Sequence, residues 1–440
     1  MSRVAPAGAS PAGRLTLQTV LAFMMGVLCF LPKDMQVIAG KGSFNVGAID
    51  AAIMVAAGLA IFRDGKTLRF ATRYDKDIIL AFLASAMISL LFARMPYYSI
   101  KSFFKIFEAV FVYLYFLGVQ ERQERVVYAG LLVGALITLA VSDPHSSESK
   151  MVSSALMLTS VFFLLRGMRP NGLTVNPGGW RLEPILSIVF LAFSFLMYPK
   201  KGAIVAYLGC IVMLACFRMI KVRLWNVAAL IALGIPALIY ISKKAAFTDQ
   251  FDAVDSFLTG DGEGDTQSLY IRTLQWMVIP SIFKNFLILG YGYSQSRMGI
   301  DENLYTYFSN LSMRVFGFQP NSIIMHVGSN FFSDNAYFTL ISELGILIFL
   351  PAYFVLRALF HYFRTDKLVL IYLCYVIVFS ISLVDLVTYR GNGIFFLNAL
   401  LFGSLAKHVL ADSPASDPQA GETADMAAVP LLKPGEGAAA

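Results

Sequence analysis

Long apolar runs separated by short polar stretches divide most of the chain. A bilayer-crossing helix needs about 20 mainly apolar residues at 1.5 Å rise each. Runs that approach this length cover 15–32, 46–62, 77–93, 100–119, 126–142, 151–168, 183–199, 202–220, 224–242, 335–360, 368–388 and 393–410. The pattern predicts an all-α, polytopic membrane helical bundle of about twelve transmembrane helices. At "LMYPKKGAIVAYLG" (196–209) two runs nearly merge, and a re-entrant bend is the alternative to a short loop there.

Lysine and arginine near the run ends set the expected orientation. With the N-terminus inside, about 19 basic residues fall on inner segments, against about 7 on outer ones. Arg63, Lys66, Arg166, Arg169, Arg218, Arg364 and Lys367 are among the inner set. The expected organisation is therefore a cytoplasmic N-terminus (1–14), spans one to nine (15–242), a periplasmic loop (243–334), spans ten to twelve (335–410) and a cytoplasmic tail (411–440). The start of the chain is basic and then apolar, but no small-residue cleavage site follows, so an uncleaved first span is expected. The tail is rich in Ala, Pro and Gly and reads as disordered.

Composition agrees with the pattern. Of 440 residues, 57% are hydrophobic and 14% charged, and the mean hydropathy is +0.67. The net charge of +7 resides in short interspan segments, which fits topology rather than a nucleic-acid footprint. Cys29, Cys210, Cys216 and Cys374 lie inside apolar runs without metal-ligand spacing and read as structural thiols. The acidic "GDGEGD" (260–265) lacks a full calcium-ligand pattern and reads as a solvated turn. No metal or cofactor is expected.

Basic residues on the outer side are the exceptions to the charge rule. Lys200 and Lys201 open the eighth span, Arg272, Lys284, Arg297 and Arg314 lie in the long loop, and Arg390 lies between the last two spans. Each alone fits a snorkelling side chain. As a set they fit an anion that sits at the outer surface and carries an apolar tail, such as a polyprenyl pyrophosphate. At an effective dielectric near 20, a cation about 4 Å from a phosphate charge contributes on the order of 4 kcal/mol before desolvation. The same cations would stabilise charge on a departing pyrophosphate. Lys101 and Lys105 also enter the outer end of the fourth span, where Glu108 stands one turn deeper than Lys105 and within pairing distance.

Inside the loop, "SLYIRTLQWMVIPSIFKNFLILGYGYSQSRM" (268–298) reads as an amphipathic helix lying in the interface. Pro280 kinks it, and "GYG" at 290–292 ends it in a tight turn. Then "FFSDNAYFTLISELGILIFLPAYFVLR" (331–357) begins the tenth span. Ser333, Asp334 and Asn335 are good N-cap residues for it. Glu343 stands eight residues inside it, an ionisable group at depth and therefore a functional or ion-pairing candidate. Asp50 and Asp385 have the same status in their own spans.

Arg272 and Trp276, an apolar stretch ending in Leu-Gly-Tyr-Gly (289–292), Asn335-x-Tyr337 and Glu343-Leu-Gly-Ile resemble motifs of the O-antigen ligase and bacterial polysaccharide polymerase family. "KKGA" at 200–203 is similar to that family's basic start of the eighth span. The resemblance implies a GT-C-type fold and a metal-independent membrane glycosyltransferase that uses an undecaprenyl-pyrophosphate-linked glycan donor at the periplasmic face. It places Lys200, Lys201 and Arg272 on the donor pyrophosphate, with Arg297, Arg314 and Arg390 as secondary cations and Trp276 and Asn335 as supporting positions. The implied partners are the lipid-linked oligosaccharide, the bilayer of the bacterial inner membrane and other polysaccharide-assembly proteins, with no nucleic acid.

Two departures qualify the resemblance. Lysine at 200 and 201 offers a point charge in place of a bidentate fork. Where ligases carry His-Asn this chain has Asp334-Asn335. Asp334 is then the candidate base, and a weak one unless burial raises it above the ordinary aspartate value of about 3.9; His326 is an alternative. Loss of the histidine tilts the reading toward polymerisation of repeat units. A ligase and a lipid-linked oligosaccharide flippase remain the rivals.

Overall fold

A computed structural model describes residues 17–31, 37–39, 46–62, 70–93, 96–118, 121–142, 147–169, 181–197, 201–220, 336–380 and 394–411, together with Gly290, Gly292, Asn310, Met313 and Arg314. The described chain is predominantly helical. In order it forms α1 (Leu17–Leu28), α2 (Ala48–Phe62), α3 (Arg73–Leu90), α4 (Pro96–Gly118), α5 (Glu121–Val141), α6 (Ser147–Gly167), α7 (Leu182–Leu196) and α8 (Lys201–Cys216). After 221–335, most of which lies outside the described residues, come α9 (Ala336–Leu344), a 3-10 turn (Gly345–Ile348), α10 (Phe349–Thr365), α11 (Lys367–Ser380) and α12 (Ile394–Ala411). Two short strands, β1 (Val37–Ala39) and β2 (Val46–Gly47), pair antiparallel before α2. They are the one departure from the all-α expectation among the described residues.

Eleven of the twelve expected apolar runs carry these helices, with α9 and α10 sharing one run; the run 224–242 lies outside the described residues. By length and composition Gln123–Val141 and Ala336–Thr365 are long and apolar enough to cross a membrane, and six further apolar helices are shorter. The domain boundaries at 1–14, most of 243–334, and the tail beyond 411 also lie outside the described residues.

Local signals start and stop several helices. Thr72, with extended backbone, caps α3 by accepting the Asp75 N–H at 3.1 Å. Asp366 ends α10 and starts α11, its Oδ1 accepting the N–H groups of Leu368 at 2.9 Å and Val369 at 3.2 Å.

Small and hydroxyl residues set the closest helix contacts. A Cβ at Gly130 would run into the Phe23 carbonyl oxygen, and one at Gly134 would meet the Val27 oxygen at 2.5 Å, so α1 and α5 cross backbone to backbone. The constant offset means that these two helices run parallel. Helices α6 and α7 are antiparallel and exchange two reciprocal serine pairs. Ser153 Oγ donates to the Ser194 carbonyl at 2.9 Å and Ser194 Oγ to the Ser153 carbonyl at 3.0 Å. One heptad away, Ser160 and Ser187 repeat the exchange at 2.8 and 2.9 Å. Next to this seam Tyr128 meets Phe163 edge-on, and Phe163, Phe190 and Phe30 stack in sequence.

Ion pairs gather at one end of the bundle. Glu124 on α5 is approached by Arg166 of α6 at 3.5 Å and by Lys407 of α12 at 3.6 Å, and it accepts hydrogen bonds from Tyr128 and Ser404. Arg169 reaches Asp366 at 2.6 Å and the Leu405 carbonyl at 3.0 Å. At the same end Asp75 accepts the hydroxyls of Tyr113 at 3.0 Å and Tyr362 at 2.7 Å, tying α3 to α4 and α10. Arg166 and Arg169, which the sequence reading counts among segment-end charges, are buried within the bundle.

The outward faces are apolar. On α10, Phe349, Tyr353, Leu356, Phe360 and Phe363 form an exposed stripe at helical spacing, Phe360 being 70% exposed. Leu80, Met87 and Leu91 along α3 and Val205, Leu208 and Val212 on α8 do the same.

Candidate functional site at the loop-bearing end

The run 335–360 reads as one continuous helix, but it holds two residues that remove backbone hydrogen bonds. Gly345 adopts φ +57°, a left-handed conformation that glycine takes without Cβ strain, and the helix turns 3-10 there. Pro351, buried in the first turns of α10, has no N–H to give the Leu347 carbonyl four residues back. In an apolar surround each carbonyl freed this way needs a new donor.

Helix α3 supplies two. Ser89 Oγ donates to the Glu343 carbonyl at 2.9 Å, and Ser85 Oγ donates to the Leu347 carbonyl at 3.0 Å. Both serines are fully buried and stand four residues apart on one face. Ala86, Ile106, Leu340 and Leu344 close an apolar cluster beside them. The third donor comes from outside these helices: the Gly292 N–H reaches the same Glu343 carbonyl at 3.1 Å. Gly290, at φ +67°, lies so close that an added Cβ would stand 2.6 Å from the Glu343 carbonyl carbon and 2.7 Å from the Gly345 nitrogen. Glycine at 290 is therefore required both by conformation and by contact.

Glu343 itself is buried, at 2% exposure. Gly290 and Gly292 of the "LGYG" stretch thus meet Glu343 and Gly345 of the "ELGI" stretch, some fifty residues away in sequence. The sequence reading names both stretches but misses Ser85, Ser89 and Gly345 as the groups that join them. The signal was present, since a glycine and a proline interrupting one apolar run mark a helix break.

A second polar cluster lies on α2 and α4. Lys105 Nζ is 2.5 Å from Asp50 Oδ1 and 2.8 Å from Glu108 Oε2, and its ammonium stands 5.8 Å from the Phe396 ring centre. Gly47 N–H closes the other Asp50 oxygen at 2.9 Å. The expected Lys105–Glu108 pair is present, and Asp50 joins it. The cluster carries one cation against two carboxyls, so Lys105 is committed to protein partners.

Of the candidate residues, Arg314 is exposed on a helical turn at 313–314, and Lys201 is the first residue of α8. Lys200, Arg272, Trp276, Arg297, His326, Asp334, Asn335, Asp385 and Arg390 lie outside the described residues, as does "GDGEGD". Among the described residues no group of His, Cys, Asp and Glu is arranged to hold a metal ion. The cysteines are free, with Cys29 and Cys210 buried and Cys216 exposed at the end of α8.

No protein-family description matches this chain, and no curated protein matches it.

Proposed function

We propose that the protein is an integral glycosyltransferase of the bacterial inner membrane. It polymerises undecaprenyl-pyrophosphate-linked oligosaccharide repeat units into exopolysaccharide or O-antigen at the periplasmic face, without a metal. The observation that carries the reading is the meeting of Gly290 and Gly292 with Glu343, because it joins the two motif stretches on which the family resemblance rests. The apolar stripes on α3, α8 and α10 favour a lipid surround, since soluble monomers rarely expose contiguous apolar faces. A break in an apolar helix, filled by loop backbone, is a device that membrane proteins use where a polar site meets the bilayer interior.

In this reading Lys200, Lys201 and Arg272 grip the donor pyrophosphate, and Arg297, Arg314 and Arg390 add secondary charge. Asp334 takes the proton of the acceptor hydroxyl as that oxygen attacks the anomeric carbon. The glycosyl–phosphate bond breaks, and undecaprenyl pyrophosphate leaves with its charge held by the basic residues. A ligase would use the same grip and differ only in its acceptor.

Arg272→Ala tests the reading through the lipid-linked glycans. Polymerisation predicts single repeat units accumulating on the outer leaflet. Long chains retained on their carrier identify a ligase, unflipped units trapped inside identify a transporter, and wild-type glycans remove the transferase reading. Asp334→Ala with full activity would withdraw the base assignment alone.

A further inference from the structure

Two donors from separate segments converge on one backbone oxygen, an arrangement with a use beyond closing a helix break. The Glu343 carbonyl is freed by the left-handed Gly345 and accepts both the Ser89 hydroxyl and the Gly292 N–H. Had the fold needed only to satisfy that oxygen, Ser89 would have sufficed, as Ser85 suffices for the Leu347 carbonyl. The loop turn is brought in as well, at a distance that only glycine at 290 permits. Lys284 lies six residues before Gly290 and Arg297 five after Gly292, so in sequence this is the described point of the chain nearest to both.

We propose that Ser89 and Gly290 are positioning residues. They seat the loop turn on the broken helix at Glu343 and so set the height and register at which the loop's cations meet the lipid-linked pyrophosphate. This role rests on the transferase reading. The seat is rigid because each of its parts is fixed independently. Helix α3 is held at its other end by Asp75 with Tyr113 and Tyr362, and Leu344 packs against Ala86 and Ile106. The loop therefore docks against a frame whose depth is already determined.

The test uses the full-length protein in lipid nanodiscs, with amide hydrogen exchange read over residues 286–294 and glycan chain length read in cells. In Gly290→Ala the added methyl cannot be housed, and the Gly292 amide should exchange about tenfold faster or more. Peptides from α6 and α7 should be unchanged, and the polymer should shorten. Ser89→Ala is the milder variant, and it should give a smaller rise in exchange and an intermediate chain length. Ser85→Ala, which removes an equivalent bond that does not touch the turn, should leave Gly292 exchange and chain length at wild type; this separates seating from general loosening. Unchanged Gly292 exchange in both Gly290→Ala and Ser89→Ala would overturn the seat. Faster exchange with full-length polymer would overturn the positioning role, while Arg272→Ala would still decide the transferase reading on its own.

Discussion

At one end of the bundle Glu124 is met by Arg166 and Lys407, and Asp366 by Arg169; at the other, Lys105 is met by Asp50 and Glu108. The first end draws its pairs from helices far apart in sequence and buries them, with the hydroxyls of Tyr128 and Ser404 also donating to Glu124. The second holds Lys105 between two carboxyls and a broken helix whose freed backbone is taken up by Ser89 and Gly292. The first arrangement clamps helices together. The second leaves a rigid platform beside the segment that carries the candidate cations. In the proposed function the first end serves stability and the second end serves the chemistry.

Breaking the clamp should cost most. Glu124→Ala leaves Arg166 buried without its carboxylate, and removing one partner of a buried pair costs about 3–5 kcal/mol. The expected outcome is a large fall in folded protein and in the thermal midpoint measured in detergent. Lys105→Met at the opposite end strands two carboxyls, but Glu108 retains 15% side-chain exposure and can be rehydrated. Its loss should be smaller, about 2–4 kcal/mol, and a wild-type midpoint would show that Lys105 holds neither acid. Tyr362→Phe removes one hydroxyl from Asp75, at about 1–3 kcal/mol. Ser160→Ala removes one donor from the α6–α7 seam, where Ser187 still donates, and should cost about 1 kcal/mol. Phe360→Leu, on the exposed α10 stripe, should change the midpoint least, by roughly 0.5 kcal/mol or less.

The positions of the helices were legible because apolar runs of this length have few alternatives. The Lys105–Glu108 pair was legible as well, since three residues along a helix bring side chains together whatever the fold. Ser89 and Glu124 were not readable in their roles, and Asp50 was readable as an ion-pairing residue but not by its partner. Each acts on a partner tens to hundreds of residues away, and no local period encodes that distance. Arg166 and Arg169 show the same limit from the other side. Counting charges at helix ends treats them as solvent-facing, whereas α5, α11 and α12 fold over that end and bury them. Gly345 and Pro351 lie between these cases. They announce a break in the sequence, but which groups repair it depends on helix α3 and the loop meeting there.

The most direct measurement asks which side of the membrane each end faces. In a chain whose native cysteines are replaced by alanine, Arg314→Cys and Arg125→Cys each place one thiol at an exposed position, the first beyond the loop turn and the second on α5 beside Glu124. A membrane-impermeant maleimide applied to intact spheroplasts should label the cysteine at 314 at once and the one at 125 only after permeabilisation. Labelling of both before permeabilisation, or of 125 alone, would contradict the separation of a clamped cytoplasmic end from a reactive outer one.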